Sequence, residues 1–303
     1  MATQTRPGEL RFLDPAVIAR LGTLELKART IVEGFLTGLH RSPFKGFSVE
    51  FAEYRQYMPG DDLSSIDWKV YARSDRYYVK KFEEETNLQC YLLLDVSASM
   101  GYGRAGGTTK LEYGQMLAAS LAYLMQRQRD AVSLTTFDDG IVSMLPPSAR
   151  PGHLRALLVT LDRLRLGKKT DVSKPLHVLA DGISRRGMVV LISDLLDDPE
   201  RVVDGLRHFR FRGTDVVVFH LMDPDEVTFP FERASKFRDM EVGDELMAVP
   251  SVVRSAYLSE LERVLEFYKR ELGSMGVDYR FVNTSEPLEF ALMSYFSNRS
   301  RFM

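Results

Sequence analysis

Apolar and polar positions along the chain follow two regimes. From residue 88 onward, short unbroken apolar runs alternate with stretches of helical period. QCYLLLD carries the first run, with Leu92, Leu93 and Leu94; AVSLTTF, MVVLIS and VVVFHLM follow, and VDYRFVN comes last. Runs such as LLL in QCYLLLD, MVVLI and VVVF, without polar alternation, predict strands covered on both faces. Between them, residues 110–128 repeat Tyr113, Leu117, Leu121 and Leu124 on one helical face. Residues 151–164 and 173–184 read as further helices, as does 252–272 with Tyr257, Leu261, Val264 or Leu265 and Tyr268 inward. Asp138-Asp139-Gly140 predicts a hairpin turn between AVSLTTF and IVSMLP, Asp198-Pro199 a helix start, and the chain closes on a helix from about residue 287. Strands alternating with helices predict an α/β fold: a doubly wound, mostly parallel sheet of Rossmann type flanked by helices, over residues 88–303.

Residues 1–87 read differently. A helix is predicted over 15–38. Irregular aromatic and charged sequence follows, in which Phe47, Val49 and Phe51 alternate toward Tyr54 as a short strand, and PGDD marks a turn. The expectation is an N-terminal segment of helix plus short strands, packed on the main domain.

Composition narrows the function classes. The chain has 303 residues, with 40 Lys+Arg against 42 Asp+Glu. That balance argues against a nucleic-acid binder, whose footprint would be basic. One cysteine, Cys90, excludes an intramolecular disulfide framework and suits a reducing compartment; within an apolar strand it reads as a small core residue. The N-terminus lacks the apolar core of a signal peptide, and no apolar run approaches the roughly 18 residues that span a bilayer. A cytoplasmic protein is expected, with docking on a membrane partner left open. The five histidines, His40, His153, His177, His208 and His220, show no metal-ligand spacing, so a zinc enzyme is not expected. Neither a GxSxG elbow nor a GxxxxGK phosphate loop is present. GYGRAGG, residues 101–107, reads as a mobile loop with Tyr102 and Arg104 in reach of a ligand.

The chemistry concentrates where strands end. Asp95 closes the first apolar run, Ser97 and Ser99 follow at alternate positions, and Asp194 closes the MVVLIS run. Ligands of doubly wound sheets sit at the carboxyl ends of the strands. Carboxylates and hydroxyls there are hard oxygen donors, suited to Mg²⁺ or Mn²⁺ and not to zinc or copper. Asp95, Ser97 and Ser99 carry too little charge to enclose an ion. One coordination position would stay open for a carboxylate from another molecule. The alternative is that Asp95 and the serines cap the helix after Gly101, as Asp171 is read to cap the helix that starts at Ser173.

Asp95-Val96-Ser97-Ala98-Ser99 resembles the DxSxS signature of von Willebrand factor type A domains. Their metal-ion-dependent adhesion site implies a ligand set of Asp95, Ser97 and Ser99, with Thr170 from a second loop and Asp194 from a third. A longer match resembles the domain of unknown function 58 family, in which such a domain follows a segment R-x-Y-x-x-G-D-D-x-x-x-I-D-W-K-x-x-A-R. Here that segment is Arg55, Tyr57, Gly60, Asp61, Asp62, Ile66, Asp67, Trp68, Lys69, Ala72 and Arg73. KLEYGQMLAASLAYL, RRGMVVLISDLLDD and MDPDEVTFPF fit as well, so the resemblance runs from about Ser42 to the end. It implies a non-enzymatic protein–protein interaction module that binds Mg²⁺. It also implies an adaptor or co-chaperone role beside a MoxR-type AAA+ ATPase or its client. Two alternatives stay open: a metal-dependent phosphoester hydrolase, disfavoured by serine where a second aspartate would act as acid/base, and a scaffold with a purely structural metal. Within the segment, Asp61, Asp62 and Asp67 facing Arg55, Lys69 and Arg73 suggest an ion-pair network, serving either as a docking surface or as a structural lock.

Overall fold

A computed structural model describes residues 15–19, 22–41, 54–56, 71, 77–80, 89–167, 171–183, 187–233, 235–238, 240 and 244–299. The chain divides into two units, residues 36–87 and the remainder. In the smaller unit, strands β1 (Tyr54–Gln56) and β2 (Tyr78–Lys80) pair antiparallel, Tyr54 opposite Lys80, and the rings of Tyr71 and Tyr77 stack with centroids 4.5 Å apart. The expected strand at Phe47–Phe51 and most of the Arg55 to Arg73 motif lie outside the described residues.

The first helices of the chain are α1 (Pro15–Ile18) and α2 (Leu24–Arg41), of which residues up to 35 belong to the larger unit. These replace the single helix expected over 15–38. The second helix starts afresh because the Thr23 hydroxyl accepts a hydrogen bond from Leu26 N at 3.3 Å, an N-cap that sequence periodicity does not register.

A six-stranded sheet forms the centre of this unit. Its strands are β3 (Gln89–Asp95), β4 (Ala131–Phe137), β5 (Ile141–Ser148), β6 (Met188–Ser193), β7 (Asp215–Met222) and β10 (Asp278–Asn283), ordered β5-β4-β3-β6-β7-β10. All neighbours are parallel except β4 and β5. The expected doubly wound, mostly parallel α/β sheet is therefore what the chain forms. The burial pattern explains it. Nearly every residue of β3, β4, β6 and β7 is buried, as strands with helices on both faces must be. Strand β5 is the antiparallel edge, with Ile141, Val142 and Met144 exposed, and it carries Pro146 and Pro147, tolerated only where no ladder donor is needed.

Helix α3 (Lys110–Arg127) follows β3, α4 (His153–Asp162) follows β5, α5 (Ser173–Gly182) precedes β6, and α6 (Pro199–Phe211) follows it. Helix α3 opens with a capping box, Thr109 with Glu112, and buries the predicted Tyr113, Leu117, Leu121 and Leu124. Gly114 permits close packing: a Cβ there would lie 2.9 Å from Leu94 Cδ1. On the other face Leu176, Val189, Leu191, Phe209, Val218 and Tyr268 share one core cluster.

Two features were not expected. After β7, a short helix α7 (Pro224–Thr228) leads into an antiparallel pair, β8 (Ser235–Arg238) and β9 (Glu245–Ala248). The long helix α8 (Pro250–Ser274) fully buries Tyr268 and Leu272, whereas Tyr257, Leu261, Val264 and Leu265 are only half-buried. The reason is local: Tyr257 faces the α7 turn, donating its hydroxyl to Glu226 O at 2.9 Å and packing on Phe229. The final helix is α9 (Leu288–Arg299).

Candidate functional site

Strands β3 and β6 are neighbours at the centre of the sheet, where the strand order reverses direction along the chain. Here a loop leaves each carboxyl end without a helix crossing over it, which is why such points become ligand sites. Asp95 ends β3 and Asp194 follows β6; both are buried, at 0% and 2% exposure, and so are Ser97 and Ser99. The turn after β3 is held from both sides, Val96 N donating to Phe137 O at 2.8 Å and Gly167 N to Val96 O at 2.7 Å. Ser97 N donates to Asp95 Oδ1 at 2.8 Å, the Ser193 hydroxyl donates to Asp95 Oδ2 at 2.6 Å, and the Ser97 and Ser99 hydroxyls share a hydrogen bond of 3.1 Å. The structure thus brings together Asp95, Ser97, Ser99 and Asp194; Thr170 lies outside the described residues. Asp171 accepts from Lys174 N at 3.0 Å, so it caps α5 as expected.

Burial and then the nearby Asp194 carboxylate push the Asp95 carboxyl up to about 7, against the hydrogen bonds from Ser193 and Ser97. The pair needs positive charge. Part of it comes from Lys110, at the first turn of α3 and 1% exposed, whose Nζ lies 2.8 Å from Asp194 Oδ2 and 2.7 Å from Glu226 Oε1. Burial alone would lower the lysine; Asp194 and Glu226 more than offset it, and the ammonium is held above its ordinary range. Glu226 belongs to a second capping box at the start of α7, its other oxygen accepting from Asp223 N at 2.8 Å. Asp223 in turn accepts from Arg104 N at 3.0 Å, tying the 101–107 loop to the same edge where a mobile loop was expected. His220, 4% exposed with Nδ1 2.7 Å from Tyr279 Oη, is driven down to about 4 by desolvation, with Lys110 adding to the effect and Asp194 opposing it.

These residues fit a hard divalent cation by their donor set, which is carboxylate and hydroxyl oxygen. Asp194 Oδ2 is already paired with the Lys110 ammonium at 2.8 Å. Among the described residues no group of three His, Cys, Asp or Glu side chains is arranged to hold a metal, so a cation here would rely on the serine hydroxyls.

Sequence reasoning missed Lys110, Ser193 and Glu226. For Lys110 a signal existed. A lysine opening a helix opposes the helix dipole, and it falls on the same buried face as Tyr113 and Leu117.

The strand order with its antiparallel edge defines a doubly wound, mostly parallel α/β fold with acidic and hydroxyl side chains at its switch point. The chain belongs to the DUF58 family, "Protein of unknown function DUF58", which matches residues 53–264. Uncharacterized protein Rv1480 of Mycobacterium tuberculosis is 29% identical over 233 residues, 76% of this chain and 73% of the relative; Uncharacterized protein Mb1516 of Mycobacterium bovis matches to the same extent. Among solved structures, the conserved hypothetical protein BatB from Bacteroides thetaiotaomicron superposes with a TM-score of 0.50 at 17% identity, over 71% of this chain and 99% of that one. An aerotolerance-related membrane protein from Bacteroides fragilis gives 0.48 at 18% identity, over 70% and 99%. At such identity the likeness is one of fold. Among the described residues no helix is long and apolar enough to cross a membrane.

Proposed function

We propose that this protein is a non-enzymatic, cytoplasmic protein–protein interaction module. It presents a Mg²⁺ ion, or Mn²⁺, held by Asp95, Ser97, Ser99 and Asp194, with Thr170 completing the set. The observation that carries this reading is the burial of two carboxylates and two hydroxyls at the switch point, with Asp95 pushed up by that burial and then by its neighbour Asp194. A bound cation would supply a Lewis-acidic position for an acidic side chain of a partner. Lys110 would keep Asp194 seated and leave Asp95 and the serines to meet the ion. The expected partner is a MoxR-type AAA+ ATPase or its client, an adaptor or co-chaperone role that rests on the sequence resemblance.

One observation favours a second reading. Because Lys110 already pairs with Asp194, the site could be a structural charge cluster within a scaffold, needing no exchangeable ion. Partner capture separates the two. With the intact protein as bait for a co-expressed MoxR-type ATPase, the first reading expects capture in Mg²⁺, loss in EDTA, and loss in a folded Asp95→Ala variant. Capture indifferent to chelator and to Asp95→Ala would establish the scaffold instead.

A further inference from the structure

Away from the oxygen cluster, helices α5 and α6 bring two histidines together. His177 and Asp181 lie four residues apart on α5, Asp204 and His208 four apart on α6, so each helix presents an imidazole and a carboxylate on one face. The helices pack closely because α6 has a glycine at the crossing: a Cβ on Gly205 would lie 3.0 Å from Leu176 Cβ. As a result His177 Nδ1 and His208 Nδ1 are 3.4 Å apart, with the rings inclined at 45°. The outer nitrogens face carboxylates across the interface: His208 Nε2 is 3.4 Å from Asp181 Oδ1 and His177 Nε2 is 3.7 Å from Asp204 Oδ2.

We propose that His177 and His208 form a two-histidine binding site for a transition metal of the zinc class. A neutral imidazole carries one N–H and one lone pair. The Nε2 nitrogens lie beside Asp181 and Asp204, and the two Nδ1 atoms face each other at hydrogen-bond distance, where a cation can take the place of the shared proton. A tetrahedral zinc ion with Zn–N bonds of about 2.0–2.1 Å holds two nitrogens about 3.4 Å apart. Carboxylates behind the ligating histidines are the usual orienting partners at such sites. The side chains are 41% and 28% exposed, leaving the remaining positions to water or to a ligand in the adjoining groove of Ser173, Arg207 and Glu271. Arg207 pairs with Asp204 at 3.0 Å and Arg212 with Asp181 at 3.4 Å, drawing charge from the carboxylates and tempering affinity. Nitrogen donors set this site apart in chemistry from the oxygen donors of the strand ends.

The test is a calorimetric titration of the metal-free, full-length protein with Zn²⁺ in excess Mg²⁺, which occupies oxygen-donor sites. One Zn²⁺ per chain is expected, with His177→Gln and His208→Gln each weakening it at least ten-fold and His153→Gln leaving it unchanged. Zinc binding unaltered by either of the first two substitutions would overturn the site. A wild-type measurement guards against misfolding of the variants. In ¹⁵N spectra of the imidazoles, Zn²⁺ should shift the Nδ1 resonances of His177 and His208; shifts confined to other histidines, or a shared proton that Zn²⁺ does not displace, would also overturn it.

Discussion

Lys110 Nζ lies 2.8 Å from Asp194 Oδ2 at the carboxyl edge of the sheet, and both side chains are 1% exposed. A buried ammonium therefore neutralises one of the two carboxylates that a cation would use. The desolvation cost of each charge is met by the other and by Glu226.

Breaking that pair from the lysine side should be costly. Lys110→Met leaves Asp194 and Glu226 without their cation and should destabilise by about 3–5 kcal/mol. Asp194→Asn should cost less, because Glu226 still holds the ammonium. The Lys110→Met/Asp194→Asn double variant should recover part of that loss, since Asp194 gives up its charge with its partner while Glu226 stays without a cation. Urea denaturation of the four proteins checks this; additive losses would refute the coupling.

Asp95 behaves oppositely. Its ionised form is strained by burial and by Asp194, so Asp95→Asn should stabilise the metal-free protein at neutral pH by on the order of 1–3 kcal/mol. It should also abolish any stabilisation by Mg²⁺, which in wild type would reach about 2.7 kcal/mol at a hundred times Kd and raise the melting temperature accordingly. Thermal scans with and without Mg²⁺ read both effects, and an Mg²⁺ shift that survives the substitution would count against the proposed ligand.

The pH profile follows from two opposed groups. His220 is depressed from 6.5 to about 4, so keeping it neutral contributes stability that is full above 6.5 and is lost as pH falls toward 4. Asp95 is raised from 3.8 to about 7, so its contribution is full below 3.8 and is lost as pH rises through 7. Between about pH 4 and 6.5 the two slopes oppose, and wild-type stability should vary little. His220→Gln removes one of them, and its urea midpoint should then rise as pH is lowered from 7 to 4. A midpoint that falls over this range would contradict the assignment.

Gly205→Ala tests the α5–α6 contact. Alanine favours a helix by about 1 kcal/mol over glycine, but here its Cβ meets Leu176 Cβ at 3.0 Å, an atom fixed to its own backbone. A net loss of about 1–2 kcal/mol is expected, together with weaker Zn²⁺ binding, because the helices must move apart. Increased stability would show that the crossing has slack.

Much of the fold was legible because burial writes itself into composition. Strands β3, β6 and β7 read as largely apolar runs, and α3 kept its Tyr113, Leu117, Leu121, Leu124 face. Elements stabilised by single hydrogen bonds or by late-chain packing were harder to read. The restart of α2 at Thr23 and the β8–β9 pair have no periodic signature, and Tyr257 is drawn to α7 and Phe229 instead of the sheet. At the site, Asp95, Ser97, Ser99 and Asp194 were readable from strand ends. Lys110 was missed, since a lysine in a helix ordinarily faces solvent, although its place on the Tyr113 and Leu117 face was a signal.

By itself, then, the order of residues determined which side chains would lie at the carboxyl ends of β3 and β6, because a strand's end is a local property and parallel neighbours must align their ends. It also placed His177 one turn from Asp181 and His208 one turn from Asp204, by helical periodicity alone. Only the tertiary structure decided which charges meet. Lys110 and Asp194 are 84 positions apart and the two histidines 31 apart. Their contacts exist because α3 packs through Gly114 onto the sheet and α6 packs through Gly205 onto α5. Helix spacing is set by whichever side chain is missing at a crossing, and no local pattern records what stands on the opposite helix.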